Sequence, residues 1–111
     1  MNSKGSKSKG SRGENELVEY LKSWGYTDAH RNNQRYVGGR GNPDVDCTGL
    51  QAFHVEVKRT ERLNLSAAMK QAQGDAVGRV PVVVSRKSRE PWIISMRLGD
   101  FLALHQSDNV I

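Results

Sequence analysis

A chain of 111 residues with 17 Lys and Arg against 12 Asp and Glu, a formal charge of +5, is long enough for one hydrophobic core and too short for two. Its single Cys47 excludes an internal disulfide and a cysteine-based zinc cluster, and no apolar run approaches the length of a membrane span. With a start too polar for a secretory leader, the composition predicts an intracellular protein with no membrane partner, whose basic excess makes a polyanion, nucleic acid first, the partner to consider.

Residues 1–10 are Ser, Gly and Lys almost throughout and are expected to form a flexible basic tail ahead of a single folded domain over 11–111. Leu17, Val18, Tyr20, Leu21 and Trp24 then recur at helical spacing, which predicts a helix over 13–24 stopped by Gly25. Glu14 lies at the N-terminal edge of that apolar stripe and faces the body of the domain, whereas Glu16 and Glu19 turn toward solvent. A carboxylate in the first helical turn is also favourable to the helix dipole without any function. Residues 26–36, with Ala29, His30, Arg31, Arg35 and Tyr36, read as one half-exposed strand. The loop Gly38-Gly39-Arg40-Gly41-Asn42 lets backbone approach a ligand closely and offers Arg40 to a phosphate, but no helix follows it, so a nucleotide-binding P-loop is not indicated.

The next stretch organises the chain. In Phe53-His54-Val55-Glu56-Val57-Lys58, strand alternation puts His54, Glu56 and Lys58 on one face and Phe53, Val55 and Val57 on the other. A turn at Thr48-Gly49-Leu50-Gln51 folds Pro43-Asp44-Val45-Asp46 back as an antiparallel partner, bringing Asp44 or Asp46 across from Glu56. Two or more carboxylates with one ammonium suit a hard cation such as Mg²⁺, the lysine acting as a point charge near a phosphate or an attacking water.

Beyond a charged connection at 59–62, Leu65, Ala68, Met69, Ala72 and Ala76 predict a helix over 65–77 that lies close against a sheet, with Gln71 and Gln73 flanking the stripe. Val82-Val83-Val84, within 80–85, reads as a strand buried on both faces and as the centre of the sheet. A basic turn at 86–89 leads to a strand over 92–96, in which Trp92 is expected in the core or an interface. A short closing helix over 98–104 and a frayed end at 106–111 complete the chain. The order of elements predicts an α/β or α+β fold, a mixed sheet flanked by helices.

With Glu14, Pro43-Asp44 and Glu56-Val57-Lys58 in place, the chain resembles the PD-(D/E)xK nuclease superfamily, and within it the archaeal-type and phage Holliday junction resolvases. The resemblance runs from about Lys9 to Leu104: a basic Lys-Gly start, an acidic helix, an Arg-bearing strand, the Asp and Glu-x-Lys hairpin, then a helix leading to a buried strand. It implies a restriction-endonuclease-like core and a metal-dependent, structure-selective DNA endonuclease that acts on four-way junctions as a homodimer. Asp44 and Glu56 would hold Mg²⁺, with Mn²⁺ substituting, Glu14 would complete the metal shell, and Lys58 would orient or help deprotonate the attacking water. Lys9, Arg12, Arg31, Arg40 and Gln71 are the implied DNA contacts. The implied location is the cytoplasm, at the nucleoid or in a phage-infected host. Asp46 adds a second acid on the face of Asp44, and the motif leaves open which of the two touches metal and whether Glu16 contributes. A nuclease of the same fold with a repair, restriction-like or replication-fork substrate is the alternative, followed by a non-catalytic DNA-binding module.

Overall fold

The computed structural model describes residues 3–32 and 41–108, with side chains over 10–32 and 41–107. Apolar alternation in the central hairpin, and the unbroken valines after it, build one five-stranded mixed sheet with three helices, an α+β arrangement. The elements are α1 (Ser3–Ser23), β1 (His30–Arg31), β2 (Val45–Asp46), β3 (Phe53–Arg59), α2 (Leu65–Asp75), β4 (Val80–Arg86), β5 (Ile93–Met96) and α3 (Leu98–Asp108).

Strands lie side by side in chain order, β1-β2-β3-β4-β5. The first three form an antiparallel meander in which Val45 faces Val55. Strands β3 and β4 are parallel, in a register that pairs Glu56 with Val83 and Arg59 with Arg86, and β5 returns antiparallel to β4. A parallel pair needs a crossover, and α2 supplies it. Asn64 opens that helix by accepting a hydrogen bond from the Ala67 N–H at 3.0 Å.

The two faces of the sheet take different helices. On one, Leu17 and Val18 of α1 pack with Val45, Val55 and Val82. On the other, Ala68 and Ala72 of α2 close over Val83. Small alanines let α2 lie near the strands, so Val82 and Val83 are both fully buried. Gly13 serves the same end in α1: a Cβ there would meet the Arg59 Cβ at 2.7 Å.

Several boundaries depart from the sequence reading. Helix α1 begins at Ser3, so the backbone of residues 3–10, expected as a tail, is helical; glycine and serine weaken the ladder there, but no proline interrupts it and lysine is a good helix former. Trp24 falls just past the end of α1 and is 69% exposed, which narrows the buried stripe to Leu17, Val18 and Leu21. The strand expected over 26–36 is the two-residue β1, and 33–36 lie outside the described residues. Strand β4 is interior and buried, but the hairpin adds two strands beyond β3, so β3 holds the middle of the sheet. Helix α3 runs on to Asp108, past the expected fraying point at 106. Trp92 is partly buried against the α1-side core, with the Arg86 guanidinium 5.9 Å from its ring centroid.

Candidate active site

Hairpin pairing brings the carboxylates of β2 and β3 together, because the Asp44 N–H donates to the Val55 carbonyl at 2.8 Å and the Val57 N–H donates to Asp44 Oδ2 at 2.9 Å. These two bonds fix Asp44 at the start of β2, on the face from which Glu56 also projects. Glu56 is buried, 5% exposed, and its two oxygens divide between neighbours: Oε2 lies 3.8 Å from Lys58 Nζ and Oε1 lies 3.8 Å from His54 Nε2. From α2, Gln71 Oε1 accepts a hydrogen bond from Lys58 Nζ at 3.2 Å, so helix and strand hold the ammonium between them.

Burial pushes the Asp44 carboxyl up to about 7, and the Glu56 carboxylate beside it adds to the effect; Glu14 contributes in the same direction, while the Val57 N–H and Lys58 oppose it. Two acids that cannot both ionise readily without a counter-charge form a donor set that a divalent cation would satisfy, with oxygen ligands suited to a hard ion.

No family model, curated protein or solved structure matches this chain.

Glu14 reaches the neighbourhood of Asp44 from α1, and its carboxylate accepts a hydrogen bond from Arg31 Nε at 2.9 Å. Arg31 also donates to Ser11 Oγ at 3.2 Å. The guanidinium implied as a phosphate contact therefore braces Glu14 and ties β1 to α1. Asp46 is committed elsewhere: its Oδ1 accepts from Arg79 Nη1 at 3.0 Å and from the Cys47 N–H at 2.9 Å. The charges of Glu56, Glu14 and Lys58 all bear on Asp44.

Glu16 has partners that the sequence reading did not supply. It is half-exposed and yet not free in solvent: Oε1 accepts from Arg59 Nε at 2.9 Å and from Arg86 Nη1 at 3.3 Å, clamping α1 to the ends of β3 and β4. Glu19 is exposed, as expected, 3.9 Å from Lys22. Arg12 is exposed and lines a cleft of about 570 Å³ with Glu16, Arg59, Thr60, Glu61 and Arg62, at the end of β3 just beyond Lys58. The Lys9 side chain and Arg40 lie outside what the structure describes.

Two residues near the site were not assigned a role from sequence. His54 was legible only as a neighbour by strand alternation, yet it is 1% exposed and neither ring nitrogen has a hydrogen-bond partner among the described residues. Asp75, at the end of α2, lies with His54 and Glu56 in a group that could hold a metal ion. No spacing rule links residue 75 to the hairpin; only the α2 crossover does. Among the described residues no helix is long and apolar enough to cross a membrane.

Proposed function

We propose that the chain is a metal-dependent, structure-selective DNA endonuclease of the PD-(D/E)xK superfamily, acting as a Holliday junction resolvase. The observation that carries the reading is the convergence of Asp44, Glu56 and Lys58 from two paired strands, with Glu14 arriving from α1, packed closely enough that Asp44 holds its proton up to about pH 7. The element order supports the restriction-endonuclease-like core: a helix carrying Glu14, a meander carrying the Asp and Glu-x-Lys, a helical crossover and a buried parallel strand. The charge of +5 suits a polyanionic substrate.

Asp44 and Glu56 are the residues that would hold Mg²⁺, with Glu14 completing the shell. Bound there, the cation supplies charge neutralisation and Lewis acidity for phosphodiester hydrolysis. Lys58, steadied by Gln71 and Glu56, holds a positive charge where an attacking water and the scissile phosphate would meet, stabilising the negative charge that gathers in the transition state. Arg31 keeps Glu14 oriented toward the site. Arg12 of α1 and Arg62, both lining the cleft beyond β3, supply phosphate contacts that read DNA shape rather than base edges.

A four-way junction has near two-fold symmetry, so a two-fold dimer would present two such sites to opposed strands. The exposed apolar residues Ile93 and Ile94 of β5, with Leu98, Phe101 and Leu102 of α3, give that dimer a surface to bury.

The test is a cleavage panel of four-way junction, flap, nicked and linear duplexes, with Mg²⁺ and with chelator. Preferential cutting of the junction that needs Mg²⁺ and disappears in Glu56→Ala is the expected result. Cutting of another substrate in preference would reassign the chain to a repair or restriction-like nuclease. Binding with no metal-dependent cutting would leave a DNA-binding module, and equal cutting by Glu56→Ala would refute the site.

A further inference from the structure

Beside the proposed catalytic carboxylates lies a second donor set of different chemistry. His54 is 1% exposed, and neither Nδ1 nor Nε2 finds a hydrogen-bond partner among the described residues. Its Nε2 faces Glu56 Oε1 at 3.8 Å, too far for a hydrogen bond. Asp75 brings a third donor from the last turn of α2, and one ligand atom from each of the three lies within 4.8 Å of the other two. A buried imidazole with both nitrogens unmet is costly, and two carboxylates converging on it add mutual repulsion. A cation between them would relieve both.

The donor set also selects the cation. Magnesium takes oxygen ligands almost exclusively, whereas an imidazole nitrogen with two carboxylates suits borderline ions of the first transition row. Metal–ligand bonds of 2.0–2.2 Å place neighbouring donors roughly 3–3.5 Å apart, so the three side chains would close by about an ångström on binding. Asp75 is half-buried where His54 and Glu56 are fully buried, which gives an ion a side from which to enter and gives one ligand freedom to adjust.

We propose that His54, Glu56 and Asp75 form a binding site for a transition-metal ion, Mn²⁺ or Zn²⁺ in preference to Mg²⁺. Glu56 belongs to this set and to the proposed magnesium set alike. The inference goes beyond the nuclease reading and stands whether or not the chain cuts DNA.

The experiment uses the metal-stripped full chain and Mn²⁺ alone, without DNA. Electron paramagnetic resonance counts bound Mn²⁺, and its pulsed form detects the ¹⁴N coupling of a coordinated imidazole. The expected result is Mn²⁺ that resists about a hundredfold excess of Mg²⁺ and carries nitrogen coupling. His54→Gln should abolish the coupling, and Asp75→Asn should weaken binding about tenfold or more. Asp44→Asn should leave the coupling in place, which separates this site from the catalytic one. Should His54→Gln fail to fold, the wild-type coupling and the half-exposed Asp75→Asn variant still decide. Absence of nitrogen coupling in the wild type, or Mn²⁺ binding indifferent to both substitutions, overturns the proposal. Failure of the wild type to cut DNA in Mg²⁺ bears on the nuclease reading alone.

Discussion

Replacing Asp44 by Asn tests the electrostatics of the site directly. Folding carries this carboxyl from an ordinary value of 3.8 to about 7, chiefly through burial and then through Glu56. Below pH 4 both folded and unfolded chains hold the proton, and the group costs nothing. Between pH 4 and 7 only the folded chain holds it, so stability falls as pH rises, and above 7 the loss is complete. A shift of that size corresponds to about 4 kcal/mol. Asn keeps an oxygen to accept from the Val57 N–H and carries no charge, so Asp44→Asn should lack this slope. Urea unfolding of both proteins in chelator at pH 5 and pH 8 measures the effect. The variant should gain on the wild type by about 2–3 kcal/mol between the two conditions, and saturating Mg²⁺ at pH 8 should erase most of the gain by stabilising the wild type alone. Parallel pH profiles for the two proteins would refute the claim that Asp44 is a partly buried, frustrated acid.

Cleavage at limiting Mg²⁺ should rise with pH up to about 7 and then level, since the metal competes with the Asp44 proton; a flat pH–rate profile would contradict this. Lys58→Met should lower cleavage by about 10²–10⁴-fold while leaving DNA affinity in chelator nearly unchanged, and Gln71→Ala should reproduce a small part of that loss by releasing the ammonium. Glu16→Gln leaves two half-buried guanidinium groups facing a neutral amide and should cost about 1–2 kcal/mol in urea unfolding, less in high salt. Asn64→Ala removes the α2 cap and should cost about 1 kcal/mol, visible in the same assay.

What the sequence made legible were features whose physics is local. Alternation assigned Glu56 and Lys58 to one face, the helical period aimed Glu14 inward, and the valine run marked a buried strand, because each depends on residues a few positions apart. The partners of Glu16 were missed for the complementary reason. Its partners Arg59 and Arg86 lie on two other strands, and a single-helix projection cannot see a guanidinium arriving from across the sheet. Asp75 escaped notice in the same way, since its proximity to His54 and Glu56 depends on how far α2 travels before it ends. Arg31 was legible as a cation near the site, but its partner Glu14 could be known only once β1 was docked on α1. Asp46, ambiguous by alternation, pairs with Arg79, which emerges from the turn after α2 and has no sequence signal linking it to the hairpin.

The in-register pairing of Arg59 with Arg86 has a kinetic consequence. The meander of β1, β2 and β3 joins near neighbours in the chain, whereas β3 and β4 can zip only after α2 has been laid across. That closure brings two guanidinium groups together at the end of the parallel ladder, and the carboxylate that offsets their repulsion resides on α1. Glu16 thereby ties the seating of α1 to the completed parallel pair. A chain that has formed its hairpin carries Asp44, Glu56 and Lys58, but it acquires Glu14 only when α1 seats. The same event that locks the fold completes the acidic cluster, so a half-folded molecule would lack the full set of charges proposed to hold metal.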